Sequence, residues 1–247
     1  MVSLTENDRI RFDRQMRISG WGAEGQKRLK RATVGIIGTG GLGSPITIYL
    51  AVAGVGRIVL ADKDVVERSN LNRQILHWDR DIGRKKADSA EEKLRQLNPE
   101  IEIVSYGSEI TGENIEEVFG EVDAVVDALD NLPSRFLLNE FAIRHRLPLF
   151  HGAVWGLEGR ASTMIPGKTV CLRCIYPEEL PGEVFPVAGV APGLIGIIQA
   201  TEVLKYFTGV GELLLNQLLI CDAETMSFSK ISLKRTPHCP VCSRLYP

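Results

Sequence analysis

A group of glycines lies between a short β-branched run and a stretch that is typical of an apolar helix. The run covers residues 33–37, and Gly38, Gly40 and Gly43 follow it with the spacing of a dinucleotide-binding turn. Such a turn presents backbone N–H groups at a helix N-terminus, where an anion binds readily. Asp62 ends the next apolar run, where a carboxylate can hold ribose hydroxyls. These residues predict a nucleotide site.

Polar residues in three later segments favour a triphosphate over a hydride-transfer cofactor. The segments are 69–74, 83–86 and 127–131. If they converge on the glycine turn, they bring two cations, Arg73 and Lys86, and one carboxylate, Asp130, to a common site. A triphosphate with Mg²⁺ needs such a set, because the phosphoryl charge must be neutralised at the reacting phosphorus.

Four of the five cysteines form two pairs with metal-ligand spacing. Cys171 and Cys174 make the first pair, and Cys239 and Cys242 make the second. In a reducing compartment such pairs indicate metal ligands before disulfides, and four thiolates are a typical structural zinc site. Redox or surface pairs, or disulfides, are the alternatives. Cys221 lies in an apolar, strand-like run and is expected to be a buried small hydrophobe.

The composition is that of an ordinary soluble globular protein. The chain has 247 residues, of which 44% are hydrophobic and 24% charged, and its formal net charge is −2. This charge disfavours nucleic-acid binding as the main activity. No apolar stretch is long enough to span a membrane, and the polar N-terminus lacks the apolar centre of a secretion signal. We therefore expect a cytoplasmic protein with no membrane contact.

Strand-like and helix-like segments alternate through the first 150 residues. Residues 5–30 are expected to be helical, with a break near 20–22. The predicted strands are 33–37, 57–61, 101–104, 124–128 and 147–151. The predicted helices between them are 42–53, 84–97, 112–119 and 133–146. This order indicates an α/β fold of the Rossmann type, with a mainly parallel sheet flanked by helices.

The pattern changes after residue 150. Residues 153–165 are predicted to form a strand without a helical return, and 175–190 a loop rich in Pro, Gly and Glu. A helix over 192–208 precedes two strands, at 214–222 and 226–234, that suggest a hairpin. The fold class is therefore α/β with a C-terminal antiparallel extension and a structural zinc site.

At this point the chain resembles the MoeB/ThiF/HesA family, the prokaryotic relatives of ubiquitin-activating enzymes. The resemblance covers nearly the whole chain and is carried by residues 11–15, 38–43, 69–74, 83–86, 127–131 and the paired cysteines. It implies an enzyme that uses ATP to adenylate the C-terminal glycine of a small β-grasp sulfur-carrier or ubiquitin-like protein. It also implies one adenylation domain over 1–247, with a helical arm (1–31), a nucleotide-binding half (32–150) and a zinc-clamped, carrier-binding half (151–247).

The resemblance further implies a role for each motif position. The residues expected to contact ATP are Gly38, Gly40, Gly41, Gly43, Asp62, Ser69, Asn70, Asn72, Arg73, Gln74, Lys86, Asp130 and Asn131. Among them, Arg73 and Lys86 act on the phosphate chain, Asp62 holds the ribose and Asp130 positions Mg²⁺. Arg14 is expected to reach across a two-fold interface into the partner's site, which makes the active unit a homodimer. The four paired cysteines hold structural zinc.

The expected chemistry depends mostly on positioning. The carrier's carboxylate is already ionised at neutral pH, so the enzyme needs no general base, and no Ser/His/Asp or Cys/His set is evident in the sequence. His77, His145 and His151 are expected to be structural. Residues 176–189 contain no cysteine for thioester or persulfide chemistry. The protein is therefore expected to stop at the acyl-adenylate, and a separate persulfide donor would supply sulfur.

Three other functions remain open at this stage. The first is an enzyme of the same scaffold that adenylates a small carboxylate on a modified tRNA. The near-neutral charge and the complete cysteine set argue against it. The second is an NAD(P)-dependent oxidoreductase, and the third is a catalytically idle scaffold. The sequence also leaves the carrier's pathway open among molybdopterin, thiamine, tRNA thiolation and protein conjugation.

Overall fold

The computed structural model describes residues 2–177 and 186–245. The helices are α1 (Glu6–Arg11), α2 (Asp13–Met16), α3 (Gly22–Arg31), α4 (Gly43–Ala53), α5 (Lys86–Leu97), α6 (Ile115–Phe119), α7 (Leu132–His145), α8 (Leu172–Ile175) and α9 (Val190–Thr208). The strands are β1 (Thr33–Ile37), β2 (Arg57–Ala61), β3 (Glu102–Tyr106), β4 (Ala124–Asp127), β5 (Leu149–Trp155), β6 (Glu158–Met164), β7 (Gln217–Asp222) and β8 (Ser227–Ser232). Short 3₁₀ helices cover Arg68–Asn70, Asp79–Asp81 and Ser243–Leu245.

The described strands form a single sheet in the order β3-β2-β1-β4-β5-β6-β7-β8. The first five are parallel, and β6, β7 and β8 extend the sheet as antiparallel neighbours. The expected α/β class with an antiparallel extension is confirmed. Because β1, β2 and β4 are parallel neighbours, the segments that follow them meet at one edge of the sheet, where α/β proteins bind their ligands.

Two apolar layers cover the two faces of the sheet. One layer packs α3, α4, α5 and α9 on the sheet, with Leu50, Leu94 and Ile195 fully buried. The other packs α6, α7 and α8 on the opposite face, where Phe119 and Phe141 are fully buried. Each such side chain contributes about 1.5–3 kcal/mol when it is removed from water. None of the helices in the described parts of the chain is long and apolar enough to span a bilayer.

The sequence predicted most elements within a few residues but missed one hairpin. Residues 153–165 contain the end of β5, a turn and β6, in place of a single strand. Gly156 at the turn has φ +60°, a left-handed conformation that glycine adopts without strain, and Trp155 pairs with Glu158 across it. Both arms of the hairpin have strand-like sequences, and the turn between them is only two residues long. The residue pattern therefore predicted one continuous strand. The predicted division of the chain at residue 150 stays a prediction.

The four paired cysteines lie together where α8 meets the C-terminal segment. Their Sγ atoms all lie within 4.8 Å of one another, with Cys171 to Cys239 at 3.7 Å and Cys174 to Cys242 at 3.6 Å. Four thiolates around one zinc ion at about 2.3 Å have sulfurs about 3.8 Å apart. The cluster therefore has the size and donor set of a structural zinc site, as the spacing predicted. Cys221 is separate from it and buried in β7.

The paired cysteines change one another's ionisation because they lie side by side in a largely buried cluster. Burial, together with the neighbouring thiols, raises the pKa of Cys242 to about 12. At Cys239 burial opposes ionisation, but N–H groups of Cys242 and Val241 outweigh it and lower the pKa of that thiol. Thiolates crowded at this distance repel one another unless a cation lies between them. A zinc ion held by these four sulfurs would join α8 to the C-terminal segment across some 65 residues of intervening sequence.

We predict that Cys242→Ser removes the bound metal and destabilises the protein. Zinc content measured by elemental analysis should fall from about one per chain to near zero. The Tm should fall by at least about 5 °C, because metal binding contributes directly to folding free energy. Cys221→Ser is the matched control and should keep its zinc. Full zinc content in Cys242→Ser would contradict the assignment.

Candidate functional site

The turn between β1 and α4 brings backbone atoms closer together than any side chain allows. Gly38 has φ +96°, and a Cβ there would lie 2.5 Å from the carbonyl oxygen of Ala128. A Cβ at Gly43 would lie 2.0 Å from the carbonyl oxygen of Gly38. Real Cβ atoms do not approach so closely, so these two positions require glycine. The turn is therefore held tightly against the end of β4.

A row of backbone N–H groups at this turn has no acceptor. None of the described residues accepts a hydrogen bond from the N–H of Gly40, Gly41, Leu42 or Gly43. The next N–H group, that of Ser44, is bound to the carbonyl of Gly40 at 2.9 Å. Unpaired N–H groups at the start of a helix have a partial positive charge and bind anions. The turn thus presents unpaired N–H donors at the glycines that the sequence predicted to bind an anion.

Asp62 lies directly against this turn, immediately after β2. Its Oδ2 accepts hydrogen bonds from the N–H and the hydroxyl of Thr39, at 2.8 and 3.0 Å. Its Oδ1 accepts one from the N–H of Asp64 at 3.0 Å. The carboxylate is half-buried and therefore stays within reach of a ligand at the turn. The structure brings this predicted residue to the glycines.

Arg73 lies beside the same turn. Its Cγ is 3.6 Å from the place where a Cβ on Gly41 would be. The guanidinium folds back on its own segment, and Nη1 donates to the carbonyl of Ser69 at 3.0 Å and to Oδ1 of Asn72 at 2.9 Å. Ser69 and Asn72 are exposed and hold Arg73 in this orientation.

Asn70 and Gln74 occupy the inner side of this segment. The Asn70 side chain accepts a hydrogen bond from the N–H of Glu67 at 3.1 Å, and therefore stabilises the turn. The Nε2 atom of Gln74 is 3.3 Å from the place of a Cβ on Gly40. The Oε1 atom of Gln74 is buried without a partner among the described residues. An unpaired buried acceptor beside the glycines is consistent with a ligand that donates to it.

Lys86 is the first residue of α5, and its side chain is buried. Its ammonium group pairs with one carboxylate. Its Nζ lies 3.0 Å from Oδ2 of Asp64, whose side chain is 56% exposed. A buried cation needs a counter-charge. Asp64 follows Asp62 by two residues, so the ammonium group of Lys86 lies near the glycine turn. Burial is the main cause that lowers the pKa of His77, and the positive charges of Lys93 and then of Lys86 lower it further.

Asp130 and Asn131 follow β4 and lie exposed at the same edge of the sheet. Asn131 caps α7, since its Oδ1 accepts from the N–H of Ser134 at 3.0 Å, and its Nδ2 lies 3.3 Å from Oδ1 of Asp130. The hydrogen bond to Glu109 is the main cause that raises the pKa of Lys63, and the charge of Asp130 adds to it. Asp130 therefore lies near the segment that follows β2.

Arg14 is not brought together with the other predicted residues. It is exposed on α2, whose neighbouring residues pack on the C-terminal end of α4: Gln15 donates to the carbonyl of Ala53 at 2.8 Å. The glycine turn is at the other end of α4. A helix of 11 residues is about 16 Å long. Arg14 is thus remote from the glycine turn within this chain.

A buried polar cluster at the ends of β4 and β5 was missed by the sequence analysis. Nδ1 of His151 lies 2.6 Å from Oδ2 of Asp127, and Nε of Arg135 lies 3.4 Å from Oδ1. Burial opposes ionisation of Asp127, but Arg135 and then His151 outweigh it and lower the pKa of that carboxyl. Arg135 also donates to the carbonyl of Leu129. The cluster therefore anchors the segment that leads to Asp130.

Little in the sequence could have revealed this cluster. Asp127 lies in the same motif as Asp130, and this proximity is the one available signal. Arg135 is on α7 and His151 on β5, so only the packing of these elements brings the three side chains together. The expectation that His151 is structural agrees with its complete burial.

Two proteins with similar sequences are named as an activating enzyme and as an adenylyltransferase. The SAMP-activating enzyme E1 of Haloferax volcanii is 42% identical over an alignment of 247 positions, which covers 98% of this chain and 91% of the relative. The sulfur carrier protein adenylyltransferase of Thermus thermophilus is 40% identical, with 96% and 92% covered.

A solved structure and a family model also match this chain over most of its length. The crystal structure of E. coli MccB with ATP has a TM-score of 0.83 and 25% identity, and the match covers 98% of this chain and 75% of that chain. The sequence model of the ThiF family matches residues 12–241. The chain, with its glycine turn, its basic residues and its paired cysteines, belongs to the ThiF family.

Proposed function

We propose that the protein is an ATP-dependent adenylyltransferase that activates the C-terminal glycine carboxylate of a small sulfur-carrier or ubiquitin-like protein. The observation that carries the proposal is the row of unpaired N–H groups at residues 40–43, with Arg73 and Lys86 nearby. Relatives named for carrier activation and adenylation, similar over nearly the whole chain, support it. So does the likeness to a structure with bound ATP.

The proposed reaction is one displacement at phosphorus. An oxygen of the carrier's carboxylate attacks the α-phosphorus of ATP and forms a new P–O bond. The bond from the α-phosphorus to its bridging oxygen breaks, and pyrophosphate leaves with the electron pair. The carboxylate is ionised at neutral pH, so no proton has to be removed. The enzyme's task is to align two anions and to neutralise the charge that develops on the leaving group.

The residues around the turn fit this task. The unpaired N–H groups and the ammonium of Lys86 would contact the phosphates, and Arg73 would leave its contacts with Ser69 and Asn72 to reach them. Arginine suits bidentate contact with phosphate oxygens, and lysine acts as a point charge. Asp62 would accept from the ribose hydroxyls, and Gln74 and Asn131 would line the nucleotide site.

Asp130 fits the role of a magnesium ligand. It is exposed at the sheet edge, and a carboxylate oxygen is the donor that Mg²⁺ prefers. When bound, Mg²⁺ neutralises charge on the phosphate chain and makes pyrophosphate a better leaving group. Arg135 holds the carbonyl of Leu129 and so keeps Asp130 in place.

The proposed partners are a β-grasp carrier that ends in Gly-Gly and a separate persulfide donor. Residues 176–189 contain no cysteine, which favours release of an acyl-adenylate over a covalent thioester on this chain. Of that segment, residues 178–185 lie outside the described residues. The carrier could serve molybdopterin, thiamine, tRNA thiolation or protein conjugation, and we place the enzyme in the cytoplasm.

We further propose that the active unit is a homodimer, in which Arg14 acts in the partner's site. The remoteness of Arg14 from the glycine turn in its own chain motivates this proposal. A two-fold interface would allow each chain to lend its arginine to the other, because such an interface is reciprocal.

Arg73→Ala is expected to reduce ATP–pyrophosphate exchange by about 10²–10³-fold, because it removes a cation from the developing charge. The assay contains Mg²⁺, ATP, labelled pyrophosphate and a recombinant Gly-Gly carrier. Arg68→Ala is the matched control, since Arg68 is exposed in the same segment, paired with Asp79 at 3.7 Å, and should keep full exchange. A folded Arg73→Ala variant with wild-type exchange would contradict the proposed site. Binding of NAD(P) in place of ATP by the wild type would contradict the function.

Asp130→Asn is expected to raise the Mg²⁺ concentration required for half-maximal exchange by about tenfold or more, because an amide is a weaker ligand than a carboxylate. Exchange is measured as a function of Mg²⁺ at fixed ATP. Asp79→Asn, which also removes an exposed carboxylate, serves as the control. An unchanged Mg²⁺ requirement in Asp130→Asn would remove Asp130 from this role.

Mixing two inactive variants tests the proposed contribution of Arg14 to the partner's site. Arg14→Ala and Arg73→Ala chains are unfolded together, or co-expressed, so that dimers form at random. If Arg14 acts in the partner's site, half of the dimers have one intact site, and exchange should recover to about a quarter of the wild-type rate. If Arg14 acts in its own chain, no site is intact and the mixture stays inactive. Arg17→Ala, exposed on the same segment, should be active alone.

A further inference from the structure

We propose that His77 is a positioning residue that fixes the orientation of the phosphate-binding turn, an inference that rests on the proposed function. His77 is buried beneath the turn, with its side chain between α5 and the backbone of Thr39. Its Nε2 lies 3.0 Å from the carbonyl oxygen of Thr39, and its Nδ1 lies 2.9 Å from Oγ of Ser89. Both ring nitrogens are therefore engaged.

These partners fix the position of the ring proton. A carbonyl oxygen only accepts, so Nε2 carries the hydrogen in the bond to Thr39. Nδ1 of the neutral ring then accepts from the hydroxyl of Ser89. Burial lowers the pKa of His77 and outweighs the Thr39 bond, and the charges of Lys93 and Lys86 act in the same direction as burial. The neutral ring with hydrogen on Nε2 is thus the form that the surroundings favour.

A buried ion pair supports this arrangement from the other side. Lys93 donates to Oγ of Ser89 at 2.8 Å and to its carbonyl at 3.2 Å. It is paired with the fully buried carboxylate of Asp81 at 2.5 Å. Because Lys93 can only donate, Oγ of Ser89 accepts from it. The hydroxyl of Ser89 is also within reach of the Asp81 carboxylate, and it donates to Nδ1 of His77 when the ring carries its hydrogen on Nε2. A directed chain of hydrogen bonds therefore runs from Lys93, which also donates to Asp81, through Ser89 and His77 to the carbonyl of Thr39.

The bond to Thr39 determines where the next N–H group points. In a trans peptide the C=O and the following N–H point in opposite directions. The carbonyl of Thr39 is directed inwards to His77, so the N–H of Gly40 is directed away from the buried ring. Ser44 Oγ also approaches that carbonyl, at a longer 3.3 Å. His77 thus aligns the first of the unpaired N–H groups before a ligand arrives, which reduces the reorganisation needed on binding.

Two substitutions at this position separate positioning from simple packing. His77→Gln places a donor near the position of Nε2 and can keep the bond to Thr39. His77→Asn places its amide near the position of Nδ1 and loses that bond. The dissociation constants of ATP and of adenosine, which lacks the phosphates, are measured by calorimetry for the wild type and both variants, with thermal melting as a check of folding.

We expect His77→Asn to weaken ATP binding by about tenfold, the effect of about one lost hydrogen bond, with adenosine binding unchanged. His77→Gln should bind ATP within about threefold of the wild type. Equal losses for ATP and adenosine, equal losses of ATP binding in both variants, or no loss in His77→Asn would overturn the proposal. A wild-type protein that binds no ATP would instead contradict the proposed function.

Ser89→Ala provides a second variant if His77→Asn does not fold. It leaves His77 in place but removes the hydroxyl that directs its ring, and should weaken ATP binding by about two- to fivefold without affecting adenosine. An unchanged affinity for ATP in this variant would count against the directed chain. Long-range ¹H–¹⁵N NMR of the wild type reports the ring form directly, and a proton on Nδ1 of neutral His77 would also overturn the proposal.

Discussion

The site depends on how closely the backbone of the glycine turn approaches itself and the end of β4. At Gly38 and Gly43 there is no room for a Cβ, because carbonyl oxygens of Ala128 and Gly38 occupy the space. This contact leaves the N–H groups of residues 40–43 without acceptors at the start of α4. The positive end of the helix therefore keeps unpaired donors at the sheet edge where the polar segments after β1, β2 and β4 lie. The other groups of the site are arranged around this fixed row of donors.

The charged residues of the site are held in place by partners within the chain. Asp62 is bound by Thr39, Lys86 by Asp64, and Arg73 by its own segment. These contacts engage the carboxylates of Asp62 and Asp64, and no described carboxylate accepts from the N–H groups of residues 40–43. Under the proposed function, phosphates would compete with these partners for Arg73 and Lys86, while Asp62 stays bound to Thr39.

Two further devices hold distant parts of the chain together. The cysteine cluster joins α8, which follows β6, to the C-terminal segment, and so fixes the two ends of the antiparallel extension. The buried cluster of Asp127, Arg135 and His151 anchors the segment after β4. Both rely on buried polar or ionisable groups that are stable only with their partners in place. The second cluster thus supports the sheet edge at which Asp130 lies, and the first fixes the antiparallel extension.

The glycine spacing, the paired cysteines and the alternating strands and helices were informative in the sequence because their physical basis is local. Gly38 is required by one backbone angle, and Cys171 and Cys174 are spaced for one ion. The parallel sheet followed from the order of elements, and the hairpin at Gly156 was missed because its turn is short.

The tertiary structure decided what depends on residues far apart in the chain. His77 lies 38 residues from Thr39, and His151 lies 24 residues from Asp127. The periodic spacing of apolar residues does not indicate such pairs, because their side chains come into contact only when strands and helices pack together. The sequence by itself therefore determined which chemical groups are present and on which kind of element. The packing alone decided which N–H groups stay unpaired, which carboxylate holds which cation, and that Arg14 lies at the far end of α4, because these depend on the distances between separate elements.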